Sequence, residues 1–373
     1  MLKKTRLGFG AVAAFAVAAL ALGVSVPANA DPTPVGSFKP LVGVGSDTTE
    51  NIVNGLGTVV PNLGSYDATG SATIQTRSGG VLFNRPNGSG NGQRALSASI
   101  NLTGTRVWPA TTGVNITGQV DFARSSSAPS SSFPGSDLTF IPYARDAVSF
   151  AVSAASDFPR DIPAGAAAQD SISPAPFTLR NIYRGTVTSY ADAEFNSVTI
   201  RPLLPQTGSG TRSFWIGQLG LTEANITSGG VATDLGNTVQ EHNGTFVTGA
   251  GDIVPFSVAQ FIQQGNYASL PTTVVERRGN IQLGSIGTNK PYVPSATGGV
   301  ELNAAFPVNR LVFNVVSTAR LSGTSAADVQ LQQAFAGSTS QVCAAASTIK
   351  QYGFGTIGAL CGNTTTYKQA FQF

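Results

Sequence analysis

An α/β fold of two lobes is what this sequence predicts, and three observations carry it. Short apolar runs feed Gly/Ser/Thr loops that open helix-like segments, at residues 41–56 and again at residues 200–219. Two long strand-like stretches, residues 138–152 and 306–316, bracket a middle block, the pattern of a chain that crosses to a second lobe and returns. With 373 residues, 41% of them hydrophobic, the chain can bury one large core or two medium ones.

The chain opens with Lys3, Lys4 and Arg6, runs through an Ala-rich apolar stretch to Val24 and reaches Ala28-Asn29-Ala30 before Asp31. This predicts a secretory signal peptide cleaved after Ala30, and an exported protein. No Cys lies at that site to take a lipid, and no later apolar run is long enough to span a bilayer, so no stable membrane anchor is expected. The leader holds three of the 22 Lys and Arg residues and no acid, which leaves 19 basic against 19 acidic residues beyond it. Without a basic run or an aromatic-studded basic stripe, nucleic acid loses its electrostatic argument as a partner. Any anion must be held by local groups.

After the leader come Leu41 to Val44, apolar, then Gly45-Ser46-Asp47-Thr48-Thr49 and a segment with Ile52, Val53 and Leu56 at helical spacing. Ser46 or Asp47 fits the N-cap position of that helix. Asn87-Gly88-Ser89-Gly90-Asn91-Gly92 precedes a second helix-like segment from Gln93 to Ile100. Gln119 to Arg124 alternates like a short strand and runs into Ser125-Ser126-Ser127. The long strand at residues 138–152 follows, then a helix at Leu179 to Tyr183. The apolar run Ile200 to Pro205 feeds Thr207-Gly208-Ser209-Gly210-Thr211-Arg212 and a helix from Ser213 to Leu219. Glycines let this backbone approach a ligand, hydroxyls supply donors, and the helix start offers unpaired N–H groups, a combination that suits an oxyanion. Phe214, Trp215, Phe256 and Phe261 read as core and lobe-packing residues. Residues 252–263 are rich in Val, Ile and Phe, and after the second long strand a helix follows at residues 326–335.

Cys343 and Cys361 are the only two cysteines, and in an exported chain they read as one disulfide near the C-terminus. One His and no Cys-x-x-Cys leave metal and thiol-redox sites poorly supported, and no cofactor is expected. No nucleophile elbow occurs at the Gly/Ser loops and no phosphate-binding P-loop is present. Glu241-His242 is the sole His-centred pair and reads as surface or structural, so no enzyme is expected.

Taken in order, Gly45-Ser46-Asp47-Thr48, Gly88-Ser89-Gly90-Asn91-Gly92, Asp121-Phe122-Ala123-Arg124-Ser125-Ser126, Asn181-Ile182-Tyr183-Arg184-Gly185-Thr186-Val187, Gly208-Ser209-Gly210-Thr211-Arg212 and Phe306-Pro307-Val308-Asn309-Arg310-Leu311 resemble the type 2 extracytoplasmic solute-binding proteins. Within them the likeness is to the phosphate-binding proteins of ABC transporters. The resemblance implies a two-lobed type 2 periplasmic-binding-protein-like fold with hinge strands crossing between the lobes. It divides the chain into residues 31–145 and 309–373 for lobe 1 and 146–308 for lobe 2. It also implies a monomer that captures a small oxyanion, phosphate first and sulfate, molybdate or tungstate as alternatives, for an ABC transporter permease. Carried over by position, the ligand residues are Ser46, Asp47, Thr48, Ser89, Ser125, Ser126, Ser209, Gly210 and Thr211, with Arg124 or Arg212 as the cation.

Two positions depart from the family pattern. Many phosphate binders place an acid where this chain has Ser126, although some have Ser-Ser there, and many place Arg where this chain has Pro205. The positive charge must then come from Arg124, Arg212 or Arg201. Otherwise the fold serves as a secreted interaction or structural protein that has lost anion binding.

Overall fold

The computed structural model describes residues 31–32, 36–100, 105–296 and 298–373. The expected signal peptide lies outside them.

The main sheet contains nine strands, numbered here in chain order. They are β1 (Leu41–Gly45), β2 (Leu63–Ser65), β3 (Phe122–Ser125), β4 (Leu138–Ser153), β5 (Arg201–Pro202), β6 (Asp252–Ser257), β7 (Ile281–Leu283), β8 (Asn309–Ser317) and β9 (Lys368–Gln369). The helices that matter to the site are α1 (Glu50–Leu56), α2 (Ser89–Ile100), α3 (Leu179–Tyr183), α4 (Gly210–Gln218), α5 (Val258–Gly265) and α6 (Ala326–Phe335). Across the sheet the order is β2-β1-β3-β8-β4-β6-β5, with β7 and β9 also on β4. Parallel pairing of β1 with β2 and β3 follows from α1 and α2 acting as crossovers, while β8 runs antiparallel to both β3 and β4.

β4 organises the molecule. Its first part, through Ala147, pairs with β8, and Val148 to Val152 pair with β6. The apolar core divides at the same place. One cluster, built on Phe150, Trp215 and Phe256, draws every fully buried member from residues 147–308. Two others, built on Leu41, Phe122 and Tyr352 and on Val44, Leu96 and Phe140, lie on the β1–β3 side. A strand buried on both faces over sixteen residues, as β4 nearly is, needs apolar cover from two bodies, and two lobes supply it. The protein is thus a two-lobed α/β fold whose long strands β4 and β8 meet between the lobes.

Most expected elements are present, with shifted ends. α2 starts at Ser89, four residues before the expected Gln93, so the Gly-rich stretch is itself the first helical turn. The run expected as a strand from Ile200 to Pro205 is a strand only at Arg201–Pro202; beyond it Leu203 N–H still donates to Ile253 O, but Leu204 N–H turns to Thr233 O and Pro205 has no N–H to offer. Thr49, not Ser46 or Asp47, is the N-cap of α1, and its side chain makes no capping bond. The Cys343–Cys361 disulfide is formed, with 5.8 Å between Cα atoms. Among the described residues no helix is long and apolar enough to cross a membrane.

Candidate functional site

The loops that follow β1 and β3 and those that open α2 and α4 converge where the lobes meet. Gly210 shows how closely: a Cβ there would lie 2.6 Å from both the Ser89 and the Ser126 hydroxyl oxygens. Gly45, at φ +117°, lets the first loop pass the Arg124 backbone, where a Cβ would sit 2.8 Å from the Arg124 carbonyl oxygen. The two sides touch directly, since Gly90 N–H donates to Gly208 O at 3.3 Å and the Asn87 and Gln206 amides pair. From α5, the Gln260 amide donates to the carbonyls of Asp47 and Thr48 at 3.2 and 2.8 Å.

At the centre of these contacts stands a carboxylate of the chain itself. Glu241 is fully buried, and Thr48 Oγ1 and Thr211 Oγ1 donate to its Oε1 at 2.6 and 2.8 Å. Ser209 Oγ donates to Oε2 at 3.0 Å while accepting the N–H groups of Thr211 and Arg212, which makes it the N-cap of α4. Arg310, from β8, donates from Nη2 to Thr211 Oγ1 at 2.7 Å and to Thr48 Oγ1 at 3.4 Å. Each threonine hydroxyl therefore accepts from the guanidinium and passes its own proton to Glu241. Arg310 is held in turn by Asp146 of β4 through Nε and Nη2 at 3.2 and 2.9 Å, and it lies 5.3 Å from the Phe214 ring centroid. Its Nη1 is buried without a partner, a donor left over in the cleft.

The electrostatics are acidic for so enclosed a place. Burial first, and then the charge on Asp47, push the Glu241 carboxyl up to about 7. His242 is 2% exposed; burial pulls its pKa down, but Asp47 at 3.6 Å and Glu50 at 3.8 Å more than offset this and leave it raised. Arg277 closes the far side, with Nη1 3.2 Å from His242 Nε2.

The remaining expected residues fall into three groups. Ser89 and Ser126 form a pair, their hydroxyls 3.2 Å apart, beside Gly210 and next to the cluster on Glu241. Ser46 is buried with a hydroxyl that has no partner, and Ser125 turns toward Ser127 O and the Gln93 amide. Neither expected arginine points its charge at the hydroxyls. Arg124 donates to the carbonyls of Ser46, Gly45 and Tyr66 and to Ser65 Oγ, a brace for the first loop, and burial lowers its pKa. Arg212 is tied to Glu223 at 2.8 Å and to Pro205 O, and Arg201 to Asp252 at 2.7 Å. The guanidinium that reaches the hydroxyls is that of Arg310. Of the two expectations for Glu241 and His242, surface or structural, burial in the cleft excludes the first; their isolation in an unpatterned loop hid this.

The chain matches the model of a PBP superfamily domain over residues 28–290. No curated protein matches. Among solved structures, similarity is found to a protein from Clostridium perfringens with bound phosphate, at 12% identity over 85% of this chain and 99% of that one, with a TM-score of 0.49. It is also found to an ABC-type phosphate transport receptor from Vibrio cholerae, at 14% identity, 85% and 100% coverage and a TM-score of 0.48. A phosphate-binding protein from Stenotrophomonas maltophilia is similar at 12% identity, 86% and 91% coverage and a TM-score of 0.45. The family match spans well over half of the sequence, and the chain belongs to the PBP superfamily.

Proposed function

We propose that this chain is an exported solute-binding protein that captures a small oxyanion between its lobes and delivers it, as a monomer, to an ABC transporter permease. The observation that carries the reading is the convergence of three hydroxyl donors, Thr48, Ser209 and Thr211, with the Arg310 guanidinium behind two of them. Each bond to a charged oxygen is worth about 1.5–3 kcal/mol, so such a set supports a tight site without a metal. Buried Asp47 beside the cluster favours phosphate over sulfate, molybdate and tungstate, because hydrogen phosphate brings a proton that a carboxylate accepts. That acid takes the part left open by Ser126, and Arg310 the part left open by Pro205.

Isothermal titration of the protein lacking its leader with phosphate, sulfate, molybdate and tungstate tests the reading. Heat with phosphate that weakens in Thr211→Val supports it, and silence with all four anions from a folded protein overturns it. Glu241 motivates a second reading: with its own carboxylate on the hydroxyls, the fold serves as an extracellular interaction or structural protein. Retained partners from a culture supernatant, for a chain that binds no anion, would favour that reading.

A further inference from the structure

Glu241 occupies the position that the anion-binding reading assigns to a ligand, and it does so with the geometry of one. Its two oxygens take three hydroxyl protons from two lobes at 2.6–3.0 Å. Among the described residues no Lys, Arg or His forms an ion pair with it; Arg310 acts on it through Thr48 and Thr211. The chain thus spends its best donors on an internal group while Arg310 Nη1 and Ser46 Oγ stay buried without partners nearby in the sequence of loops. A carboxylate and an oxyanion cannot both accept the same hydroxyl protons.

We propose that Glu241 is an internal competitor for the site: its carboxylate holds the cleft shut in place of a ligand, and an external oxyanion enters only by displacing it from Thr48, Ser209 and Thr211. This rests on the anion-binding reading and adds to it the residue that sets affinity and selects the ligand. The groups facing Glu241 shape the competition. Asp47 from the β1–α1 loop raises the Glu241 carboxyl where it stands, whereas His242 beside it, with Glu50 of α1 and Arg277 next to that ring, and the Arg310–Asp146 pair from β8 and β4 set the remaining field.

The test compares the native chain with Glu241→Gln, which keeps shape but removes the charge. Phosphate affinity by titration should rise roughly 10- to 100-fold in the variant, the equivalent of one or two charged hydrogen bonds released for the ligand. Binding by the native chain with no gain in the variant removes Glu241 as competitor and leaves the anion-binding reading standing. No binding by either removes both. Binding by the variant alone supports the competitor and overturns phosphate capture by the native chain at that pH. Should Glu241→Gln fail to fold, Glu241→Ala with formate carries the same test. A rise in Tm with formate that the native chain does not show supports the inference. No rise, or an unfolded chain that formate does not restore, overturns it.

Discussion

Replacing Arg310 by Met separates its ion pair with Asp146 from the part proposed for it in ligand binding. The guanidinium donates twice to Asp146 Oδ2, and Asp146 is fully buried, its other oxygen accepting among the described residues only from Ser257 Oγ at 2.9 Å and Ala259 N at 3.2 Å. Removing one member of a buried pair leaves a charge unpaired and costs about 3–5 kcal/mol. Neutralising Asp146 as well, in Arg310→Met with Asp146→Asn, removes that charge and should recover a large part of the loss. Ligand binding should not recover, because the Nη2 donor behind Thr48 and Thr211 and the spare Nη1 are absent from both variants. One charged hydrogen bond lost from the site corresponds to roughly a 10- to 100-fold weaker Kd. Urea denaturation, read from the midpoint at constant m-value, gives the first quantity and phosphate titration the second. A double variant that binds phosphate as the native chain does would refute the assignment of Arg310 as the positive charge of the site.

Further outcomes follow from the same contacts. Ser209→Ala removes the N-cap of α4 and one donor to Glu241, so stability in urea should fall by about 1–2 kcal/mol with phosphate affinity reduced as well. The folded-state pKa values of Glu241 and His242 both stand above their ordinary values, so their stabilising contribution is complete below those ordinary values and is lost as pH rises through the folded ones. For Glu241, moving from 4.5 to about 7, the loss across that window is on the order of 3 kcal/mol, and Tm should fall from pH 5 to pH 8 less steeply in Glu241→Gln. Reduction of Cys343–Cys361, which closes a separation of 18 residues, should lower stability by about 3 kcal/mol in the chain-entropy model, seen as a lower Tm in reductant.

Local chemistry made the hydroxyl side of the candidate site readable. Thr48, Ser209 and Thr211 sit in Gly/Ser/Thr loops between an apolar run and a helix, and that pattern is visible within a dozen residues. The long strand β4 was readable for a similar reason, as a long stretch dominated by Phe140, Ile141, Val148, Phe150 and Val152, although Arg145 and Asp146 interrupt it. The charge side was not. Arg310 meets Thr211 across 99 residues of sequence, on a strand whose only local signal is apolar, whereas Arg124 and Arg212 adjoin the loops but aim elsewhere. Adjacency in sequence fixes where a backbone goes, not where a long side chain points. Glu241 and His242 show the same limit, for their loop has no periodicity and they are buried against Thr48 and Asp47, far away in sequence.

A crystal structure grown with phosphate tests the central claim most directly. The account predicts the anion within hydrogen-bonding distance of the Thr48, Ser209 and Thr211 hydroxyls, with Arg310 behind it and the Glu241 carboxylate moved off them. Phosphate bound elsewhere, or absent at saturating concentration while Glu241 keeps its three hydroxyl bonds, would contradict it.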